Sequence, residues 1–221
     1  MPRARSLVQL RSAVARFRGR GETVAFVPTM GALHEGHVSL VRLARRSADR
    51  VVVSIFVNPL QFGPGEDFTR YPRPAARDRA LLAREGVDLL WEPAVADVYP
   101  AGDLTRVHVA GLSDVLEGAS RPGHYTGVCT VVARLLNAVR PDEMWLGQKD
   151  AQQALILERM AADLLMPVRL RRGPTVREDY IAVVDPQTLE PLKTVRGRAL
   201  VAVAAHVGPA RLIDNFPWRG R

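Results

Sequence analysis

Two rhythms of apolar residues alternate along the chain. TVAFVPT (23–29), RVVVSIFVNP (50–59) and VDLLWEP (87–93) are short, nearly continuous apolar runs rich in valine. Runs of this kind, closed by turn residues, predict strands buried on both faces. Between them the apolar positions fall at helical spacing, predicting helices over His37 to Ala48 and Arg73 to Glu85, the latter closed by Gly86. Leu7, Leu10, Val14 and Phe17 keep the same spacing and predict a short amphipathic helix before the first strand. Further on, TRVHVAG (105–111) predicts a strand and EGASRPGHYTG a turn-rich stretch. An apolar helix is expected over Val128 to Val139, then a strand at EMWLGQ, a helix from Asp150 to Leu164 and a strand at PVRLRRGPTV. Alternation of this kind predicts an α/β fold, a doubly wound (Rossmann-like) mostly parallel sheet. Beyond it the pattern changes, because DYIAVVDPQTLEPL and RALVAVAAHVGPARLIDN are two β-rich runs with no helix between them. They predict a small antiparallel C-terminal piece and divide the chain at 1–176 and 177–221.

Composition narrows the class. The hydrophobic fraction is 47% and the charged fraction 24%, as in an ordinary globular protein. No run approaches the roughly 18 apolar residues of a membrane helix, and the basic N-terminus lacks the apolar centre of a secretion signal. The single cysteine, Cys129, lies in an apolar run, which fits a buried thiol and a reducing cytoplasm. The net charge of +8 raises the question of a polyanion, but the arginines are scattered and no RNA-binding aromatic signature accompanies them. No nucleic-acid partner is expected. Among the 31 basic residues only Lys149 and Lys193 are lysine. A lysine retained in so arginine-rich a chain points weakly to a compact point charge at Lys149.

Ligands of doubly wound sheets lie beyond the carboxyl ends of the strands, where three polar motifs fall here. PTMGALHEGH places His34 and His37 three residues apart at a strand-to-helix turn. Zinc on a helix favours a four-residue spacing and further ligands, so no protein-held metal is expected. A helix start instead offers backbone N–H groups to phosphate, and histidines there can stabilise a developing oxyanion. NPLQFGPGED puts Asn58 and Gln61 just past a strand, where their amides suit a small polar substrate. WLGQKDAQQ brings Gly147, Gln148, Lys149, Asp150 and Gln153 to another such turn. Lys149 suits phosphate, Asp150 a ribose hydroxyl or a metal, and Gln153 a substrate.

In order and spacing, PTMGALHEGH, SIFVNPLQFGPGEDFTRYPR, GLSDVLEGASRPGHYTGVCTVVARLLN, LGQKDAQQ, GPTVRE and ARLIDN resemble the pantoate–β-alanine ligase (pantothenate synthetase) family. The resemblance covers residues 7 to 178 and again 179 to 215. It implies an ATP-dependent, AMP-forming condensation of pantoate with β-alanine through a pantoyl adenylate, in a cytoplasmic homodimer. It also implies that Met30, Gly31, Ala32, Leu33, His34, Glu35, Gly36 and His37 line the ATP site. His34 and His37 would touch the phosphates, with His37 as proton donor. Gly147, Gln148, Lys149, Asp150 and Val176 would hold the nucleotide, and Gln61, Gln153 and nearby Asn58 the pantoate. Mg²⁺ would arrive with ATP. Two departures stand out. Gln148 and Ala151 replace the Glu and Tyr of the family's Gly-Glu-Lys-Asp-Tyr-Gln-Gln. More seriously, Val176-Arg177-Glu178 runs straight into Asp179-Tyr180, where the family continues into a Ser-Ser-Arg-Asn phosphate loop and the helices of a C-terminal lid. A covalent bond between Glu178 and Asp179 would mark a true deletion, and a wide gap an intervening segment. A true deletion predicts weakened ATP binding and low turnover. The alternatives are a catalytically impaired nucleotide-binding remnant, or another nucleotidylyltransferase with the same histidine motif.

Overall fold

The computed structural model describes every residue except 63–67, 148–149, 174–175, 196, 208–209 and 220–221, and leaves out the side chains of 176–178, 205–207 and 210–212. Two compact units result, Met1–Gly173 and Pro174–Arg221.

The first unit contains strands β1 (Arg3–Ala4), β2 (Val24–Thr29), β3 (Arg50–Ile55), β4 (Leu89–Trp91), β5 (Glu143–Leu146) and β6 (Arg169–Arg172). Its helices are α1 (Leu7–Arg18), α2 (Glu35–Ser47), α3 (Ala75–Arg84), α4 (Val95–Val98), α5 (Glu117–Ser120), α6 (His124–Val139) and α7 (Ala151–Asp163), with a 3-10 turn at Pro59–Gln61. The strands form one parallel sheet in the order β1-β4-β3-β2-β5-β6. The chain winds outward from β2 through β3 to β4, then crosses back along α6 to place β5 on the other side of β2. The order therefore reverses between β2 and β5, where doubly wound sheets open a ligand crevice.

Successive side chains of the central strands divide between two cores, as the two-residue strand period requires. Val24, Phe26, Val52, Leu89, Trp91 and Met144 pack with α1, α6 and α7 on one face. Ala25, Val27, Val51, Val53 and Leu90 pack with α2 and α3 on the other. The predicted doubly wound sheet is thus present, with helices on both faces.

Several local expectations need correction. TRVHVAG is not a strand; residues 103–109 are extended but pair with no strand. Its alternation is real, since Val107 and Val109 pack on the core. The Val107 N–H goes to Thr130 Oγ1 of α6 at 2.9 Å instead of to a sheet neighbour. α6 starts a turn earlier than expected, behind Gly123 at φ +85°, and ends at left-handed Arg140 before Pro141. α3 starts at Ala75, and Gly86, at φ +70°, lies one residue past its Glu85 cap.

The second unit is a three-stranded antiparallel sheet, not two runs: β7 (Val176–Val184), β8 (Arg198–Val207) and β9 (Ala210–Arg219). The last predicted run contains both β8 and the start of β9. β7 passes through the Glu178–Asp179 bond, with an irregularity in pairing between Glu178 and Tyr180. One extra residue at that point is what a bulge needs.

Candidate active site

β2 ends at Thr29, whose hydroxyl donates to the Ser54 carbonyl of β3 (2.8 Å) and accepts the Gly31 N–H (3.2 Å). This starts a turn with Gly31 at φ +85° and Ala32 at φ +51°, both left-handed. The strain at Ala32 is held by a residue that the sequence did not mark. Asp78 of α3 is 1% exposed, and its carboxylate accepts the N–H groups of Ala32 (2.8 Å) and Leu33 (2.9 Å). Leu33 is 3% exposed and inserts its side chain into the α2–α3 core, anchoring the turn. Ala32 and Leu33 thus spend their backbone donors on Asp78, leaving phosphate-binding capacity to the residues that follow.

His34 is the N-cap of α2. Its Nδ1 accepts the Gly36 N–H (3.1 Å), and the His37 Nδ1 reciprocally accepts the His34 N–H (3.4 Å). The rings lie 4.2 Å apart. A ring nitrogen that accepts carries no proton, so these bonds leave Nε2 of each ring as its N–H donor. Burial, then the neighbouring His34, push the His37 pKa down from 6.5 to about 4, against a smaller opposing effect from Asp78. Gly36 is required because a Cβ there would lie 2.9 Å from His34 Cε1 and 3.0 Å from its Nδ1. Glu35 faces outward, paired with Arg42 (2.6 Å), which also grips Glu85. Met30 is half-buried.

Beyond β3, Asn58 is 1% exposed and fully engaged. Its Nδ2 donates to Gln61 Oε1 (3.0 Å) and the Gly127 carbonyl (3.0 Å), and its Oδ1 accepts from Leu60 N–H (3.2 Å) and Tyr99 hydroxyl (2.7 Å). Asn58 therefore positions Gln61. Gln61 is half-buried, its backbone carbonyl bonded to His124 Nδ1 (3.1 Å) and Arg121 (3.4 Å). Gly127 permits this, since a Cβ on it would overlap the Leu60 carbonyl. Beyond β5, Gly147 and Asp150 are exposed and Gln153 is half-buried at the start of α7. Its neighbour Gln152 is structural, bonded to the Leu112 and Val115 carbonyls and to the Tyr125 hydroxyl. Gln148 and Lys149 lie outside the described residues. Val176 opens β7, and its side chain is also outside them.

The structure thus brings the 30–37 turn to the carboxyl end of β2, and Gly147 and Asp150 to that of adjacent β5. It places Asn58 and Gln61 beyond neighbouring β3. Among the described residues no cluster of three metal-binding side chains occurs. Two hollows, of about 490 and 510 Å³, lie elsewhere. One is lined by Met1, Phe17 and Arg50, at the amino ends of the strands; the other lies between Val107–Leu112 and the end of α7. Neither contains a residue of the three motifs. Asp78, Thr29 and Gly127 were missed because each has a defining partner far off in sequence: Ala32 and Leu33, Ser54, and Leu60 respectively.

A family model described as pantoate-beta-alanine ligase matches residues 3–179 and again 177–217. A pantothenate synthetase of Moorella thermoacetica is 43% identical over 271 aligned positions, covering 95% of this chain and 96% of the relative. Because 271 positions exceed the 221 residues of the chain, several dozen positions of that relative have no counterpart here. One from Acidiphilium cryptum is 58% identical over 216 residues, covering 96% of this chain and 77% of the relative. Among solved structures, the pantothenate synthetase of Thermus thermophilus has a TM-score of 0.76 at 41% identity, with 98% and 99% of the two chains covered. The pantoate-beta-alanine ligase of Francisella tularensis, complexed with β,γ-ATP and β-alanine, also has a TM-score of 0.76, at 30% identity, with 98% and 97% covered.

Proposed function

The chain belongs to the pantoate–β-alanine ligase family, and from that membership we propose that it makes pantothenate in two steps at the β2–β5 crevice. A carboxylate oxygen of pantoate attacks the α-phosphorus of ATP; the bond to the bridging oxygen breaks and pyrophosphate leaves. The amine of β-alanine then attacks the carbonyl of the pantoyl adenylate, losing a proton as AMP departs. The observation that carries this reading is the reciprocal cap of His34 and His37, which occupies both Nδ1 atoms at a helix start and leaves Nε2 of each ring as the donor.

The mechanism we assign to these rings is hydrogen-bond donation. With a pKa near 4, His37 is neutral at physiological pH and holds little proton to give away. Nε2–H donors fixed in advance stabilise charge growing on the phosphate oxygens without reorganisation, the largest catalytic contribution in most group transfers. Gly147, Gln148, Lys149 and Asp150 complete the nucleotide site in this reading, with Lys149 on the phosphates and Asp150 on the ribose. Gln61, held by Asn58, takes pantoate together with Gln153. Mg²⁺ arrives with ATP, bound chiefly by the phosphates, as is usual for this ion. A homodimer in the cytoplasm is the working assembly.

The junction at Glu178–Asp179 modifies the activity. The two family matches meet there, and β7 runs through it. In this reading the phosphate-clamping loop and lid helices of the family's pattern are missing from the chain, and closure over ATP is lost. We infer a pantoate-adenylating enzyme with raised KM for ATP and slow turnover. The test is product formation from ATP, β-alanine and a panel of hydroxy acids, followed by mass spectrometry. Pantothenate made from pantoate alone is the expected result. Equal use of unrelated acids would move the chain to another nucleotidylyltransferase activity.

A further inference from the structure

We propose that Asp78 is a positioning residue for the nucleotide site, which presets the histidine-bearing turn for a nucleoside triphosphate before the ligand arrives. The proposal rests on the ATP-binding reading above and deepens it.

The geometry is specific. Both oxygens of one carboxylate are used on consecutive N–H groups, Ala32 at 2.8 Å and Leu33 at 2.9 Å, by a side chain that is 1% exposed. Consecutive N–H groups pointing at one acceptor form an anion nest, and nests usually cradle a ligand's phosphate. Here the nest is filled by the protein's own anion. Three consequences follow. First, phosphate is excluded from the Ala32–Leu33 backbone, both sterically and by like charge, and is directed to the Nε2–H groups of His34 and His37. Second, the left-handed turn at Gly31 and Ala32 is held without ligand; a Cβ on Gly31 would sit 3.2 Å from Asp78 Oδ2, so glycine and carboxylate are mutually fitted. Third, Leu33 is pinned in the core one residue before the cap, which fixes the phase at which α2 starts and therefore where both rings point. Asp78 touches no reacting atom in this arrangement; it acts through the turn. Displacing catalytic groups by about 1 Å can cost on the order of 100-fold.

The isosteric Asp78→Asn variant tests this. An amide can accept one of the two N–H groups but offers its own NH₂ to the other, so the nest must open. In a variant that melts cooperatively, we expect MgATP binding, measured by calorimetry, to weaken at least about tenfold, or roughly 1.4 kcal/mol. Pantoate binding should stay within about twofold. Nitrogen-15 spectra should show His34 and His37 losing their single Nε2–H tautomer. Wild-type ATP affinity and tautomers in folded Asp78→Asn overturn the proposal. Because the variant could fail to fold, wild-type protein supplies a second reading: the Ala32 and Leu33 amides should be strongly protected from hydrogen exchange without nucleotide. Rapid exchange at both overturns the proposal too. Absence of pantoate-dependent turnover in wild type would instead count against the proposed reaction, while the amide and tautomer signals would still report on Asp78.

Discussion

At the scale of single residues, His37 carries the most perturbed side chain of the proposed site. Burial and the adjacent His34 hold its pKa near 4, against an ordinary value of 6.5. The sign of the stability effect follows. Between these two values the unfolded chain binds a proton that the folded chain refuses, so stability is full above pH 6.5, falls as pH drops towards 4, and levels off below it. Thermal melts should therefore show a shallower loss between pH 6.5 and 4 in His37→Gln than in wild type; an identical slope would contradict the depressed pKa. The pair His34 and His37 was legible in sequence because the turn, the Gly36 between them and the helix start are all local. Asp78 was not, because its two bonds reach back 45 and 46 residues. Asn58 stands out in the sequence as a polar residue past a strand, but its four hydrogen bonds, one of them to Gln61, could not be read there. Gly127 and Tyr99 lie on other segments, and the bonds to Leu60 and Gln61 depend on the local fold.

Among the elements, α6 is the one whose packing sets the Pro59–Gln61 turn, the proposed pantoate side. Gly127 lets the helix backbone meet the Pro59–Gln61 turn, where a methyl group would overlap the Leu60 carbonyl. Overpacking against backbone typically costs about 1–3 kcal/mol. Gly127→Ala should lower the denaturation midpoint accordingly and, by shifting Gln61, raise the KM for pantoate more than that for ATP. Equal changes in both constants would argue against the assignment of Gln61. The valine-rich strands and their helices were readable because burial on both faces leaves uninterrupted apolar runs. The stretch around Val107 misled because alternation reports one buried face and does not say whether hydrogen-bonding neighbours are a strand or, as here, the Thr130 hydroxyl of α6. Likewise β8 and β9 were read as one run, since the sequence between them offers only a Gly-Pro signal.

At the scale of the molecule, the described residues form a doubly wound unit and a second unit of three antiparallel strands. The doubly wound architecture was visible in sequence from the order of runs alone, whereas the strand order, and hence the reversal between β2 and β5, required the fold. The shortened junction was visible only against the family's pattern, and the paired matches at 3–179 and 177–217 locate it. Restoring the corresponding segment of the Moorella relative between Glu178 and Asp179 should lower the KM for ATP and raise kcat, while leaving pantoate affinity nearly unchanged; no gain in either ATP constant would show that the missing segment is not the limiting element. The most direct test of the central claim is ATP–pyrophosphate exchange at saturating ATP, on protein whose intact mass matches 24.3 kDa. Exchange that requires pantoate, and that is lost in His37→Ala, is the predicted result. Nucleotide binding without any pantoate-dependent exchange would contradict it and leave the chain a binding remnant of its family.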